Sequence, residues 1–141
     1  MEKPTLLIID DHQLIRDMWT HVLEDSGQVA VLKYSGRFSQ TLEMIQEKKP
    51  NVILLDVCMT PLSGFELMPI IKQHSPGSHV IGFSNHANPA YAREMIQLGA
   101  SGYVTKSADV EEVLTALQEV QAGKQYLNRE MQRVIARVGG H

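Results

Sequence analysis

Leu6-Leu7-Ile8-Ile9-Asp10-Asp11 and Val52-Ile53-Leu54-Leu55-Asp56 decide how this chain is read. Each is a short apolar run that stops at an acid. Continuous runs of this kind, without polar alternation, are strands buried on both faces, as in a parallel sheet covered by helices. The acids then lie at strand carboxyl ends, and in an open α/β sheet the ligand crevice lies just outside those ends. Three carboxylates converging there repel one another unless a hard cation is bound or some of them are protonated. The economical expectation is a Mg²⁺ site built from Asp10, Asp11 and Asp56.

Outward from these two runs, apolar segments alternate with helical patterns. Strands are expected at Thr5–Asp10, Val29–Tyr34, Val52–Asp56, His79–Phe83 and Gly102–Thr105. The first helix carries Leu14, Ile15, Met18, Trp19 and Val22 on one side, with Gly27 placed as a left-handed cap. A second spans about Ser39–Lys48, Leu42 and Ile45 inward, and Pro50 enforces its stop. A third starts near Gly64 and ends before the turn Ser75-Pro76-Gly77. Asn88-Pro89 reads as N-cap and first-turn proline of a fourth, which Gly99 closes. Val110, Val113, Leu114, Leu117 and Val120 make the stripe of a fifth, with Gly123 beyond it. Five β-α units with right-handed crossovers predict a doubly wound, five-stranded parallel α/β sheet with helices on both faces.

Residues 1–123 therefore read as one domain and 124–141 as a linker with an extra helix. Met131, Val134, Ile135 and Val138 recur at helical spacing over Arg129–Val138. That stripe needs a surface to cover it: the domain itself, a second copy, or a further domain. Gly139-Gly140-His141 reads as a frayed end.

Bulk properties narrow the function classes. The chain has 141 residues and a formal net charge of −3, which argues against a polyanion-binding surface. The single cysteine, Cys58, excludes an intrachain disulfide and fits a reducing compartment. Met1-Glu2-Lys3-Pro4 runs straight into a strand without a signal-peptide core, and no apolar stretch is long enough to span a bilayer. A cytoplasmic single domain without membrane contact is expected. His12, His21, His74, His79 and His86 lack metal-ligand spacing, and Trp19 and the methionines are read as core.

The other strand ends add chemistry. Ser84 follows Val80-Ile81-Gly82-Phe83, and Lys106 follows Gly102-Tyr103-Val104-Thr105. Three acids, a hydroxyl and an ammonium in one crevice suffice to make an aspartyl phosphate. Asp56 would be the nucleophile, and Ser84 and Lys106 would hold the phosphoryl oxygens as charge spreads over them.

With these residues in hand, the chain resembles the receiver domain of bacterial two-component response regulators over about Lys3–Gly123. The marks are the acidic pair, Asp56-x-x-Met59 with Gly64 following, Ser84, and Tyr103-x-x-Lys106. Asp10-Asp11-His12-x-Leu14-x-Arg16 and Leu98-Gly99-Ala100-x-Gly102-Tyr103-Val104-x-Lys106 look most like the NarL/FixJ (LuxR-type) subfamily. Gly123-Lys124-x-Tyr126-Leu127 is similar to the start of that subfamily's linker to a helix-turn-helix domain.

The resemblance implies a flavodoxin-like sheet of strand order 2-1-3-4-5 and a phosphoacceptor at Asp56. It implies Mg²⁺ bound by Asp11, Asp56 and the Cys58 carbonyl, with Asp10 acting through water. Ser84 would contact the phosphoryl group, Lys106 would pair with it, and Tyr103 would be a switch aromatic changing rotamer with it. The donor would be a sensor histidine kinase or phosphotransfer protein. The output would be transcription regulation through a DNA-binding domain absent from this chain, with homodimerisation as an accompanying expectation. A single-domain phosphorelay protein and a degenerate receiver acting by protein contacts are the alternatives. The chain is expected to be a signalling switch rather than an enzyme, with self-catalysed phosphoryl transfer and loss at most.

Departures from the family pattern centre on the site. Thr60 stands where many members have proline, which here is displaced to Pro61, and Asn85 is larger than usual after the hydroxyl residue. Cys58 and Asn85 are expected to slow attacking water. The family also implies a cis peptide after Lys106, although Ser107 replaces the usual proline. A dehalogenase-type phosphatase would want an acid where Cys58 stands, and a flavodoxin phosphate loop would be repelled by Asp10-Asp11.

Overall fold

The computed structural model describes residues 3–33 and 37–139. Its elements run β1 (Thr5–Ile9), α1 (Gln13–Asp25), β2 (Ala30–Val31), α2 (Phe38–Lys48), β3 (Val52–Asp56) and α3 (Gly64–His74). They continue β4 (His79–Ser84), α4 (Pro89–Gln97), β5 (Gly102–Thr105), α5 (Val110–Gln121), β6 (Tyr126–Leu127) and α6 (Arg129–Gly139). The strands form one parallel sheet in the order β2-β1-β3-β4-β5-β6.

Side chains of each strand alternate between the two faces, as the pleat requires. Leu6 and Ile8 enter an apolar layer with Trp19, Phe83, Val113 and Leu117, under α1 and α5. Leu7 and Ile9 enter the opposite layer with Ile45, Leu67, Met95 and Tyr103, under α2, α3 and α4. Both layers being closed explains why the strands read as unbroken apolar runs. Gly27 and Gly99 close α1 and α4 at φ of 73° and 109°, conformations that other residues adopt at a cost. Asn88 caps α4 by accepting from the Ala90 amide, with Pro89 next.

Four expectations are corrected. The sheet has six strands, not five: Tyr126 pairs with Gly102 and Leu127 with Tyr103, adding β6 outside β5. Two residues carry no periodicity, so the pattern could not show it. β2 is two residues, shorter than the Val29–Tyr34 run, whose last residue lies outside the described residues. On α1 the buried edge is Trp19 and Leu23, whereas Leu14 is 81% and Met18 47% exposed. An apolar stripe shows that a helix has an inner face but not which edge of the stripe turns inward. Last, the peptide after Lys106 is trans, as expected for a secondary amide, and Thr60–Pro61 is the cis bond among the described residues. Gly140 and His141, part of the expected frayed end, lie outside the described residues. On α2, Ile45 is buried and Leu42 half-buried.

The helix behind the site is fixed by a close backbone approach. Ser63 caps α3 in a reciprocal capping box with Glu66, and the Gly64 amide donates to the Val57 carbonyl at 2.9 Å. A Cβ on Gly64 would stand 2.6 Å from the Asp56 carbonyl oxygen and 2.9 Å from Val57 Cα. Gly64→Ala must push α3 off the end of β3. It is expected to cost about 3 kcal/mol in urea denaturation. Gly77→Ala, where nothing lies within 4 Å of the added carbon, should be near neutral in the same experiment.

Candidate functional site

The carboxyl ends of β1, β3 and β5 bring three acids and one lysine together. Asp10 follows β1 and is only 1% exposed, an unusual place for an acid. Its two oxygens are both used: Oδ1 accepts from the His12 amide at 2.9 Å, and Oδ2 accepts from Lys106 Nζ at 2.7 Å. Its own carbonyl accepts from the Arg16 guanidinium on α1. Asp56, at the end of β3 and 4% exposed, accepts from the Cys58 amide at 3.2 Å and lies 3.4 Å from the same ammonium. Asp11 sits at the rim, more open to solvent.

One ammonium thus serves two buried carboxylates. Burial pushes the Asp56 carboxyl above its ordinary value, and the Asp10 charge pushes it the same way; Lys106 and the Cys58 amide oppose them. The Lys106 Nζ also stands 5.8 Å from the centroid of the Phe83 ring, which meets Trp19 edge-on at 5.3 Å. Sequence reading assigned Trp19 to the core and is right, but it did not foresee Phe83 as the aromatic beside the lysine.

One donor atom from each of Asp10, Asp11, His12 and Asp56 lies within 4.8 Å of the others. Three carboxylates around one point offer the hard oxygen donors that Mg²⁺ or Ca²⁺ takes, so these residues fit such an ion. His12 was set aside on spacing; in the fold its exposed ring places Nδ1 3.2 Å from Asp10 and 3.1 Å from Asp11. A histidine directly after the acidic pair was the available signal.

Ser84 and Lys106 are joined at the backbone, the Lys106 amide donating to the Ser84 carbonyl at 2.8 Å. The Ser84 hydroxyl, buried at the end of β4, accepts from the His86 amide at 3.0 Å. Tyr103 is fully buried, its hydroxyl donating to the His86 carbonyl at 2.8 Å. Burial pushes its phenol up to about 12, so it stays a neutral donor. Tyr103 and Ser84 therefore meet on one residue, His86: one holds its carbonyl, the other its amide. Cys58 and Asn85 are exposed. Although the residue is exposed, partial desolvation of the Cys58 thiol raises it, aided by the Asp56 charge, which disfavours a reactive thiolate.

Glu112, on α5, escaped sequence reading because it looked like one more surface acid. It is 9% exposed and accepts from the Arg129 amide at 2.8 Å and from the Tyr126 hydroxyl at 3.3 Å. The tail stripe does fold back: Met131 is fully buried in the layer that holds Tyr103.

Comparison with known proteins finds relatives over most of the chain. Residues 6–118 match the family described as the response regulator receiver domain. The chain is similar to the response regulator GacA of Pseudomonas aeruginosa, 30% identical over 131 residues, covering 93% of this chain and 61% of the relative. It is 27% identical over 135 residues to the nitrate/nitrite response regulator protein NarL of Escherichia coli, covering 96% and 62%. This chain thus spans less than two thirds of the length of the curated relatives it matches. Among solved structures, a LuxR-family two-component response regulator from Aurantimonas superimposes with a TM-score of 0.90 at 24% identity, covering 99% of this chain and all of that one. RcsB of Salmonella enterica serovar Typhimurium, bound to a promoter with the phosphomimetic BeF₃⁻, gives 0.83 at 22%, covering 99% and 69%. Among the described residues no helix is long and apolar enough to cross a membrane.

Proposed function

The chain belongs to the response regulator receiver family, and from that premise we propose that Asp56 accepts a phosphoryl group and that this chemistry switches the domain. The observation that carries the reading is the shared cation: Lys106 lies 2.7 Å from Asp10 and 3.4 Å from Asp56. A phosphoryl group on Asp56 would meet an ammonium already aimed at it, with Ser84 on the adjoining strand end.

The donor is a phosphohistidine of a sensor histidine kinase or phosphotransfer protein. An Asp56 carboxylate oxygen bonds to phosphorus, the P–N bond breaks, and its electron pair returns to the imidazole nitrogen, which takes a proton from water. Loss of the signal runs through water: its oxygen bonds to phosphorus, the Asp56 O–P bond breaks, and inorganic phosphate leaves a carboxylate behind. Cys58 and Asn85 restrict that attack. Asp11, Asp56 and the Cys58 carbonyl would hold Mg²⁺, with Asp10 in its outer shell. The bound ion supplies positive charge that offsets repulsion between these acids and the phosphoryl oxygens. Ser84 and Tyr103, joined through His86, are the elements whose rearrangement reports the event.

This is a phospho-accepting switch in the cytoplasm rather than a turnover enzyme. Residues 1–123 make the receiver and residues 124–141 lead from it. The output is transcription regulation: a DNA-binding domain beyond this chain makes any DNA contact, and homodimerisation accompanies it. RcsB, which shares this fold, is described bound to a promoter in the presence of a phosphomimetic, and the proposal places this chain in the same kind of regulator.

The test is direct. Incubation with acetyl phosphate and Mg²⁺ should raise the intact mass by one phosphoryl group, and peptide mapping should place it on Asp56. A protein that stays unmodified under saturating donor would favour a degenerate receiver instead.

A further inference from the structure

Lys106 is flanked by two hydroxyl residues, and both are tied to the C-terminal helix. The Asn128 side-chain amide donates to Thr105 Oγ1 at 2.7 Å. Thr105 Oγ1 and Ser107 Oγ are 2.9 Å apart, and Ser107 Oγ donates to Glu130 Oε2 at 3.0 Å. This chain of bonds straddles the lysine and ends at both sides in residues at the start of α6. The Asn128 backbone amide also donates to the Tyr103 carbonyl at 3.3 Å, so the clamp touches the strand that carries Tyr103 and leads into Lys106.

The clamp is held against a local preference. Asn128 stands immediately before α6, where an asparagine oxygen ordinarily accepts from backbone amides of the first turn. Here the side chain is spent on Thr105. Its Oδ1 is the one buried side-chain oxygen or nitrogen among the described residues without a partner. Beyond its first turn α6 packs thinly. Met131 is buried, Ile135 is half-buried, and an apolar cleft of about 320 Å³ lined by Ala92, Ile96, Leu127 and Ile135 separates α4 from α6. Glu112 separately anchors the Arg129 amide, so one tie to α5 remains when the Asn128 and Glu130 contacts are released and α6 loosens without leaving the domain.

We propose that Asn128 and Glu130 are positioning residues for Lys106: through Thr105 and Ser107 they hold the end of β5 in the resting arrangement, with its ammonium on Asp10 and Asp56. The inference rests on Asp56 being the phosphoacceptor. A phosphoryl group on Asp56 draws the ammonium off Asp10 and pulls on the 105–107 segment, which cannot follow without straining both ties to α6. Docking of α6 and occupancy of the site therefore oppose each other, and by linkage each weakens the other to the same extent.

The experiment measures equilibrium binding of beryllium trifluoride with Mg²⁺ to the full chain, followed by fluorescence of Trp19, which reaches Lys106 through Phe83. Asn128→Ala and Glu130→Ala should each bind about fivefold more tightly than wild type. Glu130→Gln keeps an acceptor for Ser107 and should bind like wild type. Amide exchange over residues 129–138 should speed up when wild type binds the analogue. A merely structural role would leave binding unchanged or weaken it, and either result, like unchanged exchange in α6, overturns the proposal. Should Asn128→Ala fail to fold, the half-exposed Glu130 pair decides alone. The wild type separates the two failures. If it neither binds the analogue nor forms the acetyl phosphate adduct, the assignment of Asp56 falls and this inference with it. If it does both while the variants match it, only the clamp falls.

Discussion

Asp56→Asn should abolish the phosphoryl adduct and, in the same protein, raise stability by about 1 kcal/mol in chelator-treated solution at neutral pH. The two effects share one cause. Asp56 is 4% exposed and has only part of an ammonium, because Lys106 lies closer to Asp10. Burial and the Asp10 charge raise its carboxyl above the ordinary value of 3.8. A carboxyl raised in the folded state is harder to ionise there than in the unfolded chain, so its charge subtracts from stability wherever it is ionised. Asparagine fills the same space, still accepts from the Cys58 amide, and leaves Lys106 wholly to Asp10. The gain should be full above the raised folded value and shrink as pH falls through it towards 3.8, where the wild-type carboxyl takes up its proton. Urea unfolding of both proteins across that range checks the sign. A variant less stable than wild type at neutral pH would show that Asp56 is better compensated than its surroundings indicate.

What sequence reading could reach follows from what it measures. Apolar runs ending in Asp10 and Asp56 report a strand buried on both faces, and that placed the acids at the crevice. Glycines and prolines report backbone conformation, and Gly27, Gly99 and Pro89 stand where they were expected. Periodicity fails where a contact is made by one residue rather than by a repeating set. Glu112 and Asn128 are single polar residues whose burial depends on where the chain turns after Gly123, and β6 is too short for any pattern. The same reason hides the edge of α1: Leu14 and Trp19 belong to one apolar stripe, and only the position of the neighbouring sheet leaves the first at 81% and the second at 4% exposure. His12 shows no metal-ligand spacing in the sequence, and in the fold its ring nitrogen lies beside the two acids just before it.

Lys106→Met should have the opposite sign on stability and the larger magnitude. The ammonium is the only cationic side chain bridging Asp10 and Asp56 among the described residues. Methionine matches the lysine stem in length but donates nothing, leaving two buried carboxylates facing each other. Removing one partner of a buried ionic set costs about 3–5 kcal/mol, mostly through the charge left behind. Melting in the presence of a chelator should show that loss. Millimolar Mg²⁺ should recover more stability in the variant than in wild type, since any ion bound only by the folded state stabilises it by mass action. Combining the change with Asp56→Asn separates charge from packing. If the loss is electrostatic, the asparagine raises the stability of Lys106→Met by well over the ~1 kcal/mol it gives wild type, because one of the two stranded acids has gone. If it is packing, the double variant gains no more from the asparagine than wild type does, about 1 kcal/mol. The adduct should also form about a hundredfold more slowly on Lys106→Met, as expected when a preorganised cation is lost from the position where phosphoryl charge develops. An unchanged rate would mean that the lysine serves the resting acids and not the transfer.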